Sequence, residues 1–279
     1  MNNIIDGRIL SEKIRKNIKE KIEKDKMVPS LVVIQIGDDA ASSIYIKNKK
    51  KACENVGIKF SHILFNSEMS QDVIINEIKR LNEDISVNGI IVQLPIPKTF
   101  DVAKIINTIS PVKDVDGLTY ENVGNLVLEN ECIVPSTALG IITILDEYKI
   151  DLRRKNVCVI GRSNLVGKPL IQLLLQKDAT VSICHSKTNN LKQYTKMADV
   201  LIVAVGCPNL ITKDMVKENS VIIDVGINKE GNSLKGDVDF VNVRKKAKYI
   251  TPVPGGVGPI TVSCLLINVL KAYEIQNRK

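Results

Sequence analysis

The sequence predicts an α/β protein of two domains, and three observations carry that expectation. Short apolar runs alternate with helix-periodic segments in both halves of the chain, the β-α-β pattern of parallel sheets covered by helices. A turn-rich stretch over residues 113–124 interrupts the alternation once, near the middle. The length of 279 residues suits two domains of ordinary size better than one.

Taken in order, the chain opens with an amphipathic helix, because Leu10, Ile14, Ile18 and Ile22 recur every four residues along one face. Residues 1–24 lack the apolar core of a leader peptide, and Asp6, Glu12, Glu20 and Glu23 argue against an organellar presequence. The apolar run 30–37, closed by Gly37 and Asp38, predicts a buried strand, followed by a helix over 42–56 that Gly57 ends. A strand over 58–65, a helix over 72–81 burying Val73, Ile74, Ile78 and Leu81, and a strand over 89–93 complete the first half. After the turn chemistry of Asp114-Val115-Asp116-Gly117, Pro135-Ser136-Thr137 opens an apolar helix reaching about Tyr148. Strands follow at 157–160, 180–184, 200–205 and 221–225, with a helix over 168–176 that carries Pro169 in its first turn, where proline is tolerated. A Pro/Gly-rich segment at 251–259 leads into a last apolar helix over about 260–273.

Composition excludes several function classes. No window approaches the unbroken apolar run of a membrane helix. The net charge of +8 comes from lysines scattered along helices, and with only 4% aromatic residues the stacking platforms of a single-strand nucleic-acid binder are missing. A basic surface also suits an anionic small substrate. Cys53, Cys132, Cys158, Cys184, Cys207 and Cys264 form no C-x-x-C pair and read as small buried side chains kept reduced in a cytosol. With only His62 and His185 available, the sequence argues against a zinc site, and no metal is expected.

The turn Gly161-Arg162-Ser163-Asn164-Leu165-Val166-Gly167 follows a strand and precedes a helix, the context that gives a glycine-rich turn meaning. Free N–H groups and the positive helix end favour a pyrophosphate there. Ser163 stands where a second glycine is usual, so the turn alone also fits any α/β protein. An NAD site places a carboxylate at the end of the next strand; here that place reads Cys184-His185-Ser186-Lys187. Arg162 with a hydroxyl suits a 2′-phosphate, so the pattern points to NADP, although Arg162 also fits an ordinary surface arginine. For His185, packing or hydrogen bonding is the plainer role.

Tyr45 and Lys49 share a helix face just past the first strand, where α/β sheets place ligands, and a phenol beside an amine can pass protons. The cluster Lys47, Lys49, Lys50 and Lys51 equally fits a wet face. A Tyr-x-x-x-Lys pair that precedes the nucleotide turn is in the wrong order for a short-chain dehydrogenase. Gln93 fits a strand-end hydrogen bonder or a catalytic group. Asp116 fits a turn-former or a bidentate acceptor for an aminopyrimidine. The segment 254–259 allows close backbone approach to a flat ligand.

In this order, Tyr45-Ile-Lys-Asn-Lys49, Val92-Gln93-Leu94-Pro95, Lys113-Asp-Val-Asp-Gly117, Gly161-Arg-Ser163, His185-Ser-Lys-Thr188, Asp224-Val-Gly-Ile227 and 251–261 resemble the signatures of methylenetetrahydrofolate dehydrogenase/cyclohydrolases, over nearly the whole chain. The resemblance implies that Lys49 is the catalytic lysine with Tyr45 beside it, that Gln93 tunes it, and that Asp116 holds the pterin. It implies further substrate contacts at Val92, Leu94, Pro254, Gly255, Gly256, Gly258 and Thr261. NADP contacts are implied at Gly161, Arg162, Ser163, Ser186 and Ile227.

The resemblance also implies two α/β domains flanking a cleft. Residues 1–118, completed by the C-terminal helix 260–279, would form the catalytic, folate-binding domain, and 119–259 a Rossmann-like NADP-binding domain. A cytoplasmic homodimer joined through the nucleotide domain is implied as well. The implied reactions are oxidation of 5,10-methylenetetrahydrofolate with NADP+ and hydrolysis of the methenyl product to 10-formyltetrahydrofolate, with a lysine of lowered pKa activating water. Such a product serves purine biosynthesis. The chain departs from the family pattern at Ser136 and Ala138, where cysteine and proline are usual. Two rivals remain at this point: another NADP-linked dehydrogenase, which needs no pterin aspartate, and a non-catalytic nucleotide- or RNA-binding module, which leaves Tyr45, Lys49 and Gln93 without a shared purpose.

Overall fold

The computed structural model describes residues 3–231 and 233–278; Met1, Asn2 and Lys279, at the ends of the expected domain spans, lie outside them. The chain divides into two compact units, each described by itself.

The unit of residues 13–136 and 262–279 is built on a parallel sheet of order β2-β1-β3, with β1 at Ser30–Ile36, β2 at Lys59–Phe65 and β3 at Gly89–Val92. It carries α2 (Ala40–Val56), α3 (Gln71–Glu83), α4 (Val102–Ile106) and α5 (Tyr120–Val127), with most of α1 (Gly7–Lys24) and of α10 (Val257–Gln276). Because β1 is buried along its whole length, its period-2 alternation feeds two cores. Leu31 and Val33 pack with Ile18, Ile46 and Leu266, whereas Val32 and Ile34 pack with Ile74, Ile78 and Ile105. Each such side chain contributes about 2 kcal/mol when fully buried.

Local chemistry sets the helix ends. Asp39 caps α2 by accepting from Ser42 N at 2.7 Å, and Gly57, in the left-handed region at φ 88°, stops it. On α3 the buried face is Ile74, Ile75, Ile78 and Leu81; Val73, expected inside, is exposed. At three and four residues from Ile78, Ile74 and Ile75 share its face, and Val73 falls a further 100° round the helix. In α1, Leu10, Ile18 and Ile22 are buried and Ile14 partly so.

The unit of residues 3–12 and 137–261 holds a parallel sheet of order β10-β7-β6-β4-β5. Its strands are β4 (Asn156–Ile160), β5 (Thr180–Cys184), β6 (Val200–Val203), β7 (Val221–Asp224) and β10 (Tyr249–Ile250), and a hairpin pairs β8 (Asn228–Glu230) with β9 (Ser233–Lys235). Nearly all of α6 (Ser136–Glu147), together with α7 (Gly167–Leu175), α8 (Leu191–Met197) and α9 (Phe240–Val243), belongs here. The chain steps outward from β4 to β5, then returns to the other side of β4 at β6. This is the reversal that opens a crevice beyond the carboxyl ends of the two strands.

The division of the chain differs from the expected 1–118 and 119–259 at both ends. The N-terminal segment joins the second sheet through its backbone: Ile5 N donates to Ile250 O at 2.9 Å, Ile250 N to Asn3 O at 2.9 Å and Gly7 N to Gly255 O at 2.9 Å. Residues 119–136 stay with the first unit because polar side chains tie them there. Asp114 Oδ2 accepts from Thr119 N at 2.7 Å and from Asn122 Nδ2 at 3.1 Å, and Asn122 Oδ1 accepts from Ile133 N at 3.1 Å. Ser136 and Ala138 are both buried, and α6 starts at Ser136 without the usual proline. Among the described residues only α10 is long and apolar enough to cross a membrane, and half of that stretch is buried in the protein.

Asn268, on α10 and almost fully buried, donates from Nδ2 to Val115 O at 2.9 Å and to Val134 O at 2.8 Å. Asn268→Leu keeps the number and branching of side-chain heavy atoms and strands both carbonyls. It is expected to cost about 2 to 4 kcal/mol in denaturant unfolding; a variant as stable as the parent would show that these carbonyls find other partners.

Candidate active site

The first unit places a polar constellation at the carboxyl end of its sheet. β1 leads into α2, which carries Tyr45 and Lys49 one turn apart. Of the four clustered lysines, Lys47, Lys50 and Lys51 are exposed and Lys49 alone is half-buried; Tyr45 is exposed. Lys49 Nζ donates to Gln93 Oε1 at 2.9 Å. Gln93 follows β3, anchored by its N–H to Ile34 O at 2.8 Å, and its Nε2 donates to Leu94 O at 2.8 Å. With the amide nitrogen engaged there, the amide oxygen faces the lysine. Gln93 is thus both a strand-end hydrogen bonder and a partner of Lys49. Val92 is buried, Leu94 half-buried, and Leu94–Pro95 is cis.

Asp116 completes this group. Burial pushes its carboxyl above the usual range, the Lys49 ammonium opposes that rise, and the Asp114 carboxylate adds to it. The segment 113–117 is more than a turn, and its first four residues have separate tasks. Lys113 O accepts from Ile90 N at 2.7 Å, laying the segment alongside β3, and Lys113 Nζ caps the end of α3 by donating to Leu81 O at 3.1 Å and Asp84 O at 2.8 Å. Asp114 holds the segment that follows, Val115 is fully buried, and Asp116 meets the field of Lys49.

The second unit holds the other expected residues. Gly161 stands at φ 123°, where a side chain is strained, and an added Cβ would lie 2.3 Å from Ala204 O; one on Gly167 would lie 2.2 Å from Gly161 O. The turn therefore packs against the residue that follows β6 and against the start of α7 too closely for a side chain at either glycine. Ser163 Oγ accepts from Val166 N at 3.1 Å, and Arg162 is exposed. Beyond β5, Ser186 is exposed, and His185 serves its own turn by accepting from Lys187 N at Nδ1, 3.1 Å away. No carboxylate stands within 184–188. These residues fit a dinucleotide bearing a 2′-phosphate.

The 254–259 loop also lies in this unit. It lines a cavity with Arg8, Asp224 and Ile227, and Val253–Pro254 is cis. Ile227 Cδ1 lies 3.7 Å from where a Cβ on Gly258 would stand, and Thr261 Oγ1 donates to Val257 O at 3.3 Å. The structure therefore gathers Tyr45, Lys49, Val92, Gln93, Leu94 and Asp116 in one unit, and Pro254, Gly255, Gly256, Gly258, Thr261 and the five nucleotide residues in the other.

Residues 5–116 match the family model described as tetrahydrofolate dehydrogenase/cyclohydrolase, catalytic domain, and residues 135–277 its NAD(P)-binding domain. The chain belongs to this family. It is 51% identical to the bifunctional protein FolD of Hydrogenobaculum over 98% of this chain and 99% of that one. Among solved structures it is similar to the bifunctional FolD of Campylobacter jejuni, with 46% identity, 98% of each chain covered and a TM-score of 0.95. It is also similar to the Trypanosoma brucei FolD complexed with NADP cofactor and inhibitor, with 34% identity, 99% and 98% coverage and a TM-score of 0.94.

Within this family member, two buried carboxylates beside the nucleotide turn have no role in the sequence reading, where Asp224 stands only as part of a signature and Asp237 is not singled out. Burial pushes Asp224 up to about 7, against hydrogen bonds to its oxygens from the N–H groups of Asp237, Val238 and Gly226. Asp237 is fully buried. The available signal was a glycine near each aspartate in sequence, Gly226 and Gly236, each packed against the other aspartate's carboxylate. Of the cysteines, Cys207 is exposed and the other five are buried as expected.

Gly161→Ala drives a methyl group into the Ala204 carbonyl from a strained φ. It is expected to lower stability by about 2 kcal/mol or more in thermal or denaturant unfolding; an unchanged midpoint would mean that the turn relaxes without cost.

Proposed function

We propose that Lys49, Gln93 and Asp116 are the working residues of the folate site in a bifunctional enzyme. The enzyme oxidises 5,10-methylenetetrahydrofolate with NADP+ and hydrolyses the methenyl product to 10-formyltetrahydrofolate. The observation that carries the residue assignment is the Lys49–Gln93 hydrogen bond beside the half-buried Asp116. That grouping gives the three side chains a shared purpose, which neither rival reading supplies.

Gln93 Oε1, fixed by its own Nε2–Leu94 bond, aims the lysine nitrogen. Lys49 Nζ moves the proton as water adds to the methenyl carbon and the ring opens. Asp116 accepts the aminopyrimidine edge of the pterin through both oxygens, and Tyr45, one turn before Lys49, flanks the ring. Val92 and Leu94 supply apolar and backbone contact beside Gln93, and the backbone of Pro254, Gly255, Gly256 and Gly258 with Thr261 contributes the remaining substrate contacts. Gly161 and Ser163 cradle the pyrophosphate, Arg162 and Ser186 take the 2′-phosphate, and Ile227 packs on the cofactor. NADP+, when bound, supplies the two-electron oxidation of the methylene bridge.

Coarser expectations join this reading. The unit with residues 13–136 serves folate and the unit with residues 137–261 serves the dinucleotide. The enzyme works in the cytoplasm as a homodimer joined through its nucleotide unit, and its product feeds purine biosynthesis. The edge strand β5, with Ile183 40% exposed, supports a contact with a second copy, which sedimentation measures directly.

Purified protein incubated with 5,10-methylenetetrahydrofolate and either NADP+ or NAD+ tests the activities. Reduction with NADP+, without methenyl build-up and with formyl product, is the expected result. Lys49→Met is expected to slow hydrolysis of methenyltetrahydrofolate at least about a hundredfold while NADPH affinity stays unchanged. Full hydrolase turnover in that variant would remove Lys49 from its role.

Asp116 makes the folate site pH-sensitive. Its folded-state value lies above that of the unfolded chain, so its contribution to stability is greatest at low pH and is lost as pH rises between the unfolded and folded values. Only the ionised form accepts on both oxygens with no O–H donor opposing an incoming N–H. Affinity for a folate analogue is therefore expected to rise with pH across a range above about pH 4, and Asp116→Asn to flatten the profile. Equal pH profiles for the two proteins would show that another group governs binding.

A further inference from the structure

The crevice between the carboxyl ends of β4 and β6 has two lips. One is the 161–167 turn. The other is the segment 204–207, whose Ala204 carbonyl presses on Gly161. Three successive N–H groups of this second lip converge on one side chain. Asp237 Oδ2 accepts from Val205 N at 2.8 Å and Gly206 N at 3.0 Å, and Oδ1 accepts from Cys207 N at 2.8 Å. Oδ1 also accepts from Asn228 Nδ2 at 2.9 Å, on the residue that follows Ile227.

The carboxylate is itself locked. A Cβ on Gly226 would fall 2.1 Å from Oδ1, and the Asp237 N–H donates to Asp224 Oδ1 at 2.9 Å. Four donors converging on two oxygens need an acceptor-only group, which an ionised carboxylate is and an amide is not.

We propose that Asp237 is a positioning residue for the dinucleotide. It fixes the 205–207 lip and, through Asn228, the neighbouring Ile227, at the spacing the cofactor requires. It touches no reacting atom. The inference rests on reading the 161–167 turn as the NADP site.

The test measures dissociation constants for NADPH and for a folate analogue on the same preparations, by calorimetry, together with thermal unfolding, for the parent, Asp237→Asn and Asn228→Ala. In Asp237→Asn the N–H₂ group faces two N–H donors whichever oxygen it replaces. NADPH affinity is expected to fall at least about tenfold in Asp237→Asn and roughly threefold in Asn228→Ala, with folate-analogue affinity within about twofold of the parent. Unchanged NADPH affinity in folded Asp237→Asn overturns the proposal. So does an equal loss for both ligands, which marks general loosening. Should Asp237→Asn fail to fold, Asn228→Ala decides alone: a selective loss supports the proposal and parental affinity overturns it. A parent that binds the folate analogue but not NADPH defeats the nucleotide-site reading itself, and this inference with it.

Discussion

Backbone groups just beyond the carboxyl ends of parallel strands must find partners without a sheet to provide them, and the structure depends on how that constraint is met. An unpaired buried N–H or carbonyl costs on the order of 1 to 3 kcal/mol, a large share of a domain's net stability. This chain answers with buried polar side chains. Asp114 and Asn122 hold the backbone after residue 113, Asn268 takes two carbonyls, Asp224 takes the N–H groups of 226, 237 and 238, and Asp237 takes those of 205–207. Each of these side chains stabilises a loop that carries site residues, so the loops can leave regular structure and still hold one shape.

The same logic separates a chemically useful lysine from a solvated one. Four lysines crowd the middle of α2, and by type they are equivalent. Helical geometry turns three of them to water and one towards the sheet, where Gln93 Oε1 and the field of Asp116 receive it. Gln93 does this because its other amide atom is already engaged. A surface-like sequence thus yields one oriented amine through burial and a single fixed amide.

The parallel strands were legible because β1, β4 and β6 are apolar runs of the right length between turn signals, and α2 because Gly57 marks its end. The pairing of Lys49 with Gln93 was implied by the family resemblance and not by spacing, since 44 residues separate them. Other features left no periodic trace. The β8–β9 hairpin has three-residue, largely exposed strands with nothing to alternate, and β10 has two residues. The N-terminal segment joins the second sheet by backbone hydrogen bonds, which no side-chain pattern records, so the compact units divide residues 3–12 and 119–136 differently from the expected 1–118 and 119–259. Asp224 and Asp237 were given no role of their own because their close packing is with glycines across the sequence, Asp224 against Gly236 and Asp237 against Gly226.

The distribution of thiols has a practical side. Five cysteines are buried, and burial lifts the Cys53 thiol to about 12, far from the reactive thiolate. Cys207 alone is exposed, and its N–H is one of the three gathered by Asp237. The native chain therefore carries a single addressable attachment point on the lip of the crevice. A fluorophore or fluorine label introduced there by maleimide chemistry reports on that lip directly, in a protein whose sequence has not been altered.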